Sequence, residues 1–91
     1  MNPLTLEPTR QFKRDFKRCE KRHFDLSKLE DIINKLAQRQ PLEAKYKDHA
    51  LKGDWEPARE CHIENDWLLV YFVEDDILHL VRTGTHSYLG I

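Results

Sequence analysis

The chain has 91 residues, of which 34% are charged and 40% hydrophobic, and a formal net charge of −1. That length suits one domain with a modest core that needs no staples, so residues 1–91 are expected to form a single domain. Cys19 and Cys61 form no CxxC pair, there is no secretory apolar segment, and no apolar run approaches the roughly 20 residues of a membrane helix; a disulfide framework and a membrane partner are excluded, and a cytoplasmic location is expected.

Pro3–Glu7 (PLTLE) alternates and reads as a short strand of the later sheet. Pro8 cannot continue a ladder, and Thr9 suits a helix N-cap. Thr9–His23 has the pattern of an amphipathic helix. Phe12, Phe16, Cys19 and His23 form its apolar stripe, and Arg10, Arg14, Lys17 and Lys21 the opposite face. Lys13, Arg18 and Arg22 lie beside that basic face, and Asp15 and Glu20 offset it only partly. Residues 1–52 carry thirteen Lys/Arg against eight Asp/Glu, and residues 53–91 two against eight. A basic half on a near-neutral chain fits an anionic partner, although long solvated helices also favour lysine and arginine.

Asp25–Gln40 is a second helix, capped by Asp25 or by a Ser27-x-x-Glu30 box, apolar along Leu26, Leu29, Ile32, Ile33 and Leu36, and ended by Pro41. The two helices make a hairpin that covers one face of a sheet. Pro41–Trp55 has no clean period. It is expected to be a long ordered loop, pinned by Tyr46, Leu51 and Trp55, with His49 at its middle.

The last third carries the strands. Ala58–Glu64 alternates, with Glu60, His62 and Glu64 on one face and Cys61 and Ile63 on the other. Trp67–Val73 (WLLVYFV) is a continuous apolar run, as in a strand buried on both faces. Ile77–Thr83 is again strand-like. Glu64-Asn65-Asp66 and Glu74-Asp75-Asp76 are polar breaks suited to hairpin turns. The fold class expected is α+β: two N-terminal helices packed on a twisted antiparallel sheet of about four strands.

His49, His62 and His86 fall in a loop, a strand and the segment after the last strand, accompanied by Glu60 and Asp66. Histidine titrates near neutrality, so a pair can serve as general base and general acid, and a nearby carboxylate fixes the tautomer. Lys47, Lys52, Arg59 and Arg82 supply cations that suit phosphate. This set is what metal-free RNA cleavage needs: a base for the 2′-hydroxyl, an acid for the leaving 5′-oxygen, and charge for the phosphorane. Scattered surface histidines of a small α+β domain are the plainer reading of composition alone. A zinc site would use His49, His62, His86 and Cys61 or Asp66, but alternation puts Cys61 on the face away from His62 and no pair has tight ligand spacing.

YKDHALKGDW, ARECHIENDWLLVY and RTGTHS, in this order behind a helical hairpin with KRHFDLSKL at its turn, resemble the YafQ branch of the RelE-like toxins of bacterial toxin–antitoxin systems. The resemblance spans most of the chain. It implies a RelE-like, microbial RNase-like fold and a ribosome-dependent endoribonuclease that cuts translated mRNA in the ribosomal A site; from the acid–base set itself, no cofactor and no metal are expected. It implies a cognate antitoxin that wraps around the toxin, contact with the ribosome and its 16S rRNA, and operator DNA reached only through the antitoxin complex. Position by position it marks His49, His62, Asp66 and His86 as catalytic, Glu60 as a carboxylate where some relatives have Asp, and Arg82 as a phosphate contact. The exposed stripe Arg10, Arg14, Lys17 and Lys21 is the expected ribosome contact. Relatives often end in an aromatic where this chain reads HSYLGI, so Tyr88, on the same side as His86 in an extended tail, is expected to stack on the RNA base; the alternative is that it simply covers the sheet edge. The competing reading is a non-catalytic module that binds RNA, the ribosome or an operator; such a binder has no need of the full histidine–carboxylate set.

Overall fold

The computed structural model describes residues 2–91. Strands β1 (Thr5–Pro8), β2 (His49–Ala50), β3 (Arg59–Glu64), β4 (Trp67–Glu74) and β5 (Ile77–Gly84) form one sheet in the order β1-β5-β4-β3-β2. Helices α1 (Arg10–Lys21) and α2 (Leu26–Ala37) share a core with one face of it, and a helical turn, α3 (His86–Leu89), follows β5. The fold is α+β as expected, but the sheet has five strands and is mixed. β1 runs parallel to β5, with Thr5 opposite Ile77 and Pro8 opposite Leu80. Proline is tolerated there because β1 is an edge strand. The amides of Thr5 and Thr9 donate to the carbonyls of Asp76 and Leu80 (3.1 and 2.9 Å), and the Pro8 nitrogen falls in the alternate, outward phase.

The expectation of plain loop over residues 41–55 also needs correction. Between two 3-10 turns, Ala44–Tyr46 and Gly53–Trp55, His49 and Ala50 pair with Glu60 and Arg59. α1 begins as expected, with Thr9 Oγ1 accepting the Phe12 N–H at 2.9 Å. It ends before His23, whose φ of 62° makes it the left-handed cap; the Phe24 amide then reaches the Cys19 carbonyl at 3.0 Å. His23 is exposed and leaves the apolar stripe, whereas Asp15 is fully buried between Phe12 and Cys19. In α2 the cap is Asp25, which accepts the Ser27 N–H at 3.1 Å. That helix stops at Ala37, well before Pro41, because Arg39 turns left-handed (φ 63°) and the Gln40 amide bonds back to Lys35.

The meander of β3, β4 and β5 is antiparallel, and the β4–β5 turn has Asp75 and Asp76 at φ 53° and 61°, as a two-residue hairpin requires. β4 is covered on both sides from Trp67 to Tyr71 and opens at Val73, which is 50% exposed. Trp67, Leu69 and Tyr71 pack with Phe12, Leu29 and Ile32 on the helical side. Leu68 and Val70 face the other way, under Ala58, Leu89, Leu51 and Trp55.

Asp15 ties α1 to the end of β5. Its carboxylate accepts from Arg82 Nε (2.7 Å), Arg82 Nη2 (3.2 Å), the Thr83 amide (3.1 Å) and Gln11 Nε2 (3.2 Å). Asp15→Ala leaves Arg82 without its counter-charge, and we expect it to cost about 3 kcal/mol of unfolding free energy. The measurement is the urea midpoint at unchanged slope. A variant within about 0.5 kcal/mol of the parent, the range of ordinary surface changes, would mean the pair contributes little.

Candidate active site

Three histidines stand in a row where the second face of the sheet meets its cover. His49 comes from β2, His62 from β3 and His86 from the start of α3. The ring centroids of His49 and His62 are 6.4 Å apart, and those of His62 and His86 5.5 Å. The β2–β3 register sets His49 opposite Glu60, so that His49 Nε2 lies 3.1 Å from Glu60 Oε1. At the other end Asp66, in the β3–β4 turn, accepts the His86 amide at 2.9 Å and lies 2.6 Å from His86 Nδ1. The structure thus brings together all five residues expected to be catalytic: His49, Glu60, His62, Asp66 and His86.

Their partners differ. Nδ1 of His49 faces the Lys47 carbonyl at 2.7 Å and its Nε2 faces a carboxylate, so both of its nitrogens meet acceptors. His86 has Nδ1 on Asp66. His62 has a buried Nδ1 with no partner, and the second oxygen of Glu60 is likewise buried and unpartnered. Burial holds the His62 pKa below its usual value; Glu60 opposes that shift, while His86, Lys47 and His49 add to it. The backbone amide of His86, and then its ring, hold Asp66 below the usual carboxylate range.

The tail differs from the extended segment expected. Thr85 caps a helical turn, accepting the Tyr88 amide at 3.2 Å. Successive residues of a helix turn by about 100°, so Tyr88 does not share a side with His86. Its ring instead packs on Gly84 (φ 156°), where a Cβ would come within 2.8 Å of Tyr88 Cδ2. The guanidiniums of Arg18 and Arg82 lie 4.2 and 5.6 Å from its centroid.

The expected cations are only partly free. Arg82 is held by Asp15, and that hydrogen bond raises its pKa. Arg59 Nε bonds Asp48 at 2.9 Å, and Asp48 also accepts from the Tyr71 hydroxyl. Lys47 and Lys52 are exposed, as are Arg10, Arg14, Lys17 and Lys21 along α1. Sequence reasoning missed Asp15 and Asp48, each of which fixes an arginine. Asp15 was detectable: it lies three residues after Phe12 and four before Cys19, on the buried stripe. Asp48 carried no such signal. Cys61 is fully buried in the helix-side core, and burial pushes its thiol up to about 12. Among the described residues no group of three His, Cys, Asp or Glu is placed to hold a metal ion, and no helix is long and apolar enough to cross a membrane.

The family described as the bacterial toxin of type II toxin–antitoxin systems, YafQ, matches residues 4–90. This chain belongs to the YafQ toxin family. It is 42% identical to the mRNA interferase toxin YafQ of Escherichia coli K12 over 85 residues, covering 92% of each. It is 38% identical to the putative toxin YafQ of Haemophilus influenzae over 96 residues, covering 98% of this chain and 94% of that one. The solved Escherichia coli DinJ–YafQ complex matches it with a TM-score of 0.88 at 41% identity, covering 94% of this chain and 97% of that chain. A copper-bound mutant toxin from Helicobacter pylori matches with a TM-score of 0.90 at 46% identity, covering 94% and 98%.

For this YafQ-family toxin, burial sets the state of the central histidine. A lowered folded pKa means that the unfolded chain binds the proton more tightly. Stability from His62 is therefore full above about 6.5 and falls as the pH drops from there through the folded value. By NMR titration of the ring protons, His62 should have its midpoint below about 6.5. Glu60→Gln should move that midpoint further down, since Glu60 favours the charged ring. A midpoint at or above the ordinary value, or an upward move in Glu60→Gln, would contradict this account.

Proposed function

We propose that this chain is an endoribonuclease, the toxin of a type II pair, which cuts translated mRNA in the ribosomal A site by metal-free general acid–base catalysis and so inhibits translation. The observation that carries the reading is the row of three histidines flanked by two carboxylates. His62 is the base. Its Nδ1 is buried, which leaves Nε2 for the 2′-hydroxyl proton, and burial favours the uncharged ring. His86 is the acid. A charged Asp66 at 2.6 Å holds a proton on Nδ1, so Nε2 can deliver one to the leaving 5′-oxygen. The 2′-oxygen attacks phosphorus, the P–O5′ bond breaks, and a 2′,3′-cyclic phosphate and a free 5′-hydroxyl remain. His49 has acceptors on both nitrogens, which suits it to a steadying role beside Glu60 rather than that of base. Lys47, Lys52, Arg59 and Arg82 steady the phosphorane and the RNA backbone. Tyr88 joins them as an aromatic face already flanked by Arg18 and Arg82.

On this reading the protein works in the cytoplasm on the ribosome, is silenced by a cognate antitoxin, and meets operator DNA only through the antitoxin complex. The relative in the DinJ–YafQ complex supports the antitoxin part. A non-catalytic binder of RNA or operator would be favoured only if cutting were absent.

Primer extension on a translated mRNA, with and without ribosomes and with and without a transition-metal chelator, tests the proposal. Cleavage should require ribosomes and survive chelation; loss on chelation with rescue by zinc would replace acid–base chemistry by a metal. His86→Ala should lower the cleavage rate by about 10²–10⁴-fold while circular dichroism stays unchanged. A folded variant that cuts at the parent rate would remove His86 from the mechanism. Charge reversal of Arg10, Arg14, Lys17 and Lys21 should weaken ribosome binding and flatten its salt dependence, because fewer counterions are released. An unaltered salt slope would return that face to ordinary solvation.

A further inference from the structure

Beyond Glu60, β3 has no strand paired on its outer side, because β2 pairs only with Arg59 and Glu60. Along that open edge lies a cleft of about 360 Å³, between α2, the turn Ala44–Tyr46 and the β3–β4 turn. Lys28, Lys45, Lys47, Tyr46, Ile63 and Asn65 are among the residues that line it. His62 belongs to both the cleft and the histidine row. Except for His62 and Lys47, none of these groups has a part in the bond-breaking chemistry.

We propose that this cleft is a nucleotide subsite, which receives the base and phosphate of the residue next to the scissile bond. The inference rests on the endoribonuclease reading and adds to it a source of sequence preference. An RNA strand with its scissile phosphate at His62 and His86 must continue past the histidine row, and the cleft opens at His62 itself. Three lysines against Asp31 and Glu64 leave it cationic. Lys28 already bonds Glu64 at 2.5 Å, while the ion pair of Lys45 is a 3.9 Å contact to Glu43, so of these two Lys45 is the freer phosphate contact. The Lys35 and Lys45 ammoniums lie over the Tyr46 ring, 5.4 and 5.2 Å from its centroid, so the ring holds positive charge beside the cleft. Asn65 presents both a donor and an acceptor, which is what reading a base edge takes. An extended peptide of the antitoxin could also lie along a free strand edge, but the aromatic, amide and lysines beside a catalytic histidine favour RNA.

The test maps cleavage ends across a pool of translated mRNAs for the parent protein, Asn65→Ala and Lys45→Ala. Both substituted side chains are exposed, so folding is not at stake. The parent should prefer some bases at one position flanking the cut. Asn65→Ala should reduce that preference by about fivefold, the scale of one neutral hydrogen bond, with cutting at the other sites retained. Lys45→Ala should lower cleavage evenly across sequences, as loss of a phosphate contact does. Superimposable maps and equal rates for all three proteins would overturn the subsite and leave the endoribonuclease reading intact. Variants that cut as the parent does but bind the antitoxin more weakly would assign the cleft to the antitoxin instead. Absence of cutting by the parent would remove the endoribonuclease reading and the subsite together.

Discussion

Residues Trp67 to Tyr71 are at most 3% exposed, and their side chains alternate between two faces of the sheet. One such run needs cover on both sides, since each large apolar side chain left in water costs about 1.5–3 kcal/mol. The helical hairpin covers one side. The other has no helix of comparable size, so the segment around Leu51, Trp55 and Ala58 and the tail ending in Leu89 and Ile91 must close over Leu68 and Val70. Those two covering segments are the ones that bring His49 and His86 to the edge of the same face, on either side of His62. The position of the candidate site is a consequence of how the central strand is buried.

The tail is held in place from the opposite face of the sheet. Asp15, within α1, binds both Arg82 and the Thr83 amide, and Thr83 Oγ1 accepts from the Trp67 indole and donates to the Leu68 carbonyl. Every buried polar atom of this linkage has a partner, which is the condition under which a buried ionic group specifies one arrangement. β5 therefore leaves the sheet at a defined point, and Thr85 caps the turn that presents His86. The arginine in this linkage has most of its charge matched by Asp15. Its contact with RNA would come from the part of the guanidinium not committed to the carboxylate.

Within the row, similar side chains acquire different properties from their surroundings. His62 lies on a strand, half-buried, and is driven toward neutrality by desolvation. His86 lies at the start of a helical turn against an exposed carboxylate, and His49 on a two-residue strand against a buried one. The His62 and His86 rings, 5.5 Å apart, lie in contrasting environments. Such a contrast is what separates a proton acceptor from a proton donor at one pH.

Much of this was legible in the residues. The 3.6-residue stripes of the two helices, the continuous run of β4 and the paired aspartates of its turn are local patterns whose physics acts within a few residues, so sequence determined them. The chemical inventory of His49, Glu60, His62, Asp66 and His86 was legible too, because residue type is itself the signal. What lay beyond reach depended on partners distant in the chain. Nothing local tells that Thr5–Pro8 pairs parallel with β5, that His49 finds Glu60 through a two-residue strand, or that Asp48 holds Arg59 and Tyr71. The place of Asp15 on the buried stripe was legible, but its partner was not: burial of that charge is favourable only once Arg82, 67 residues away, is there to meet it. The tail was misread because Thr85 takes its own chain's amide as a cap, a local bond that turns the chain into α3 where β5 would otherwise continue beside Trp67. Apart from the local Thr85 cap, tertiary structure decided these points, since each is an energy that exists only between groups the fold has already brought together.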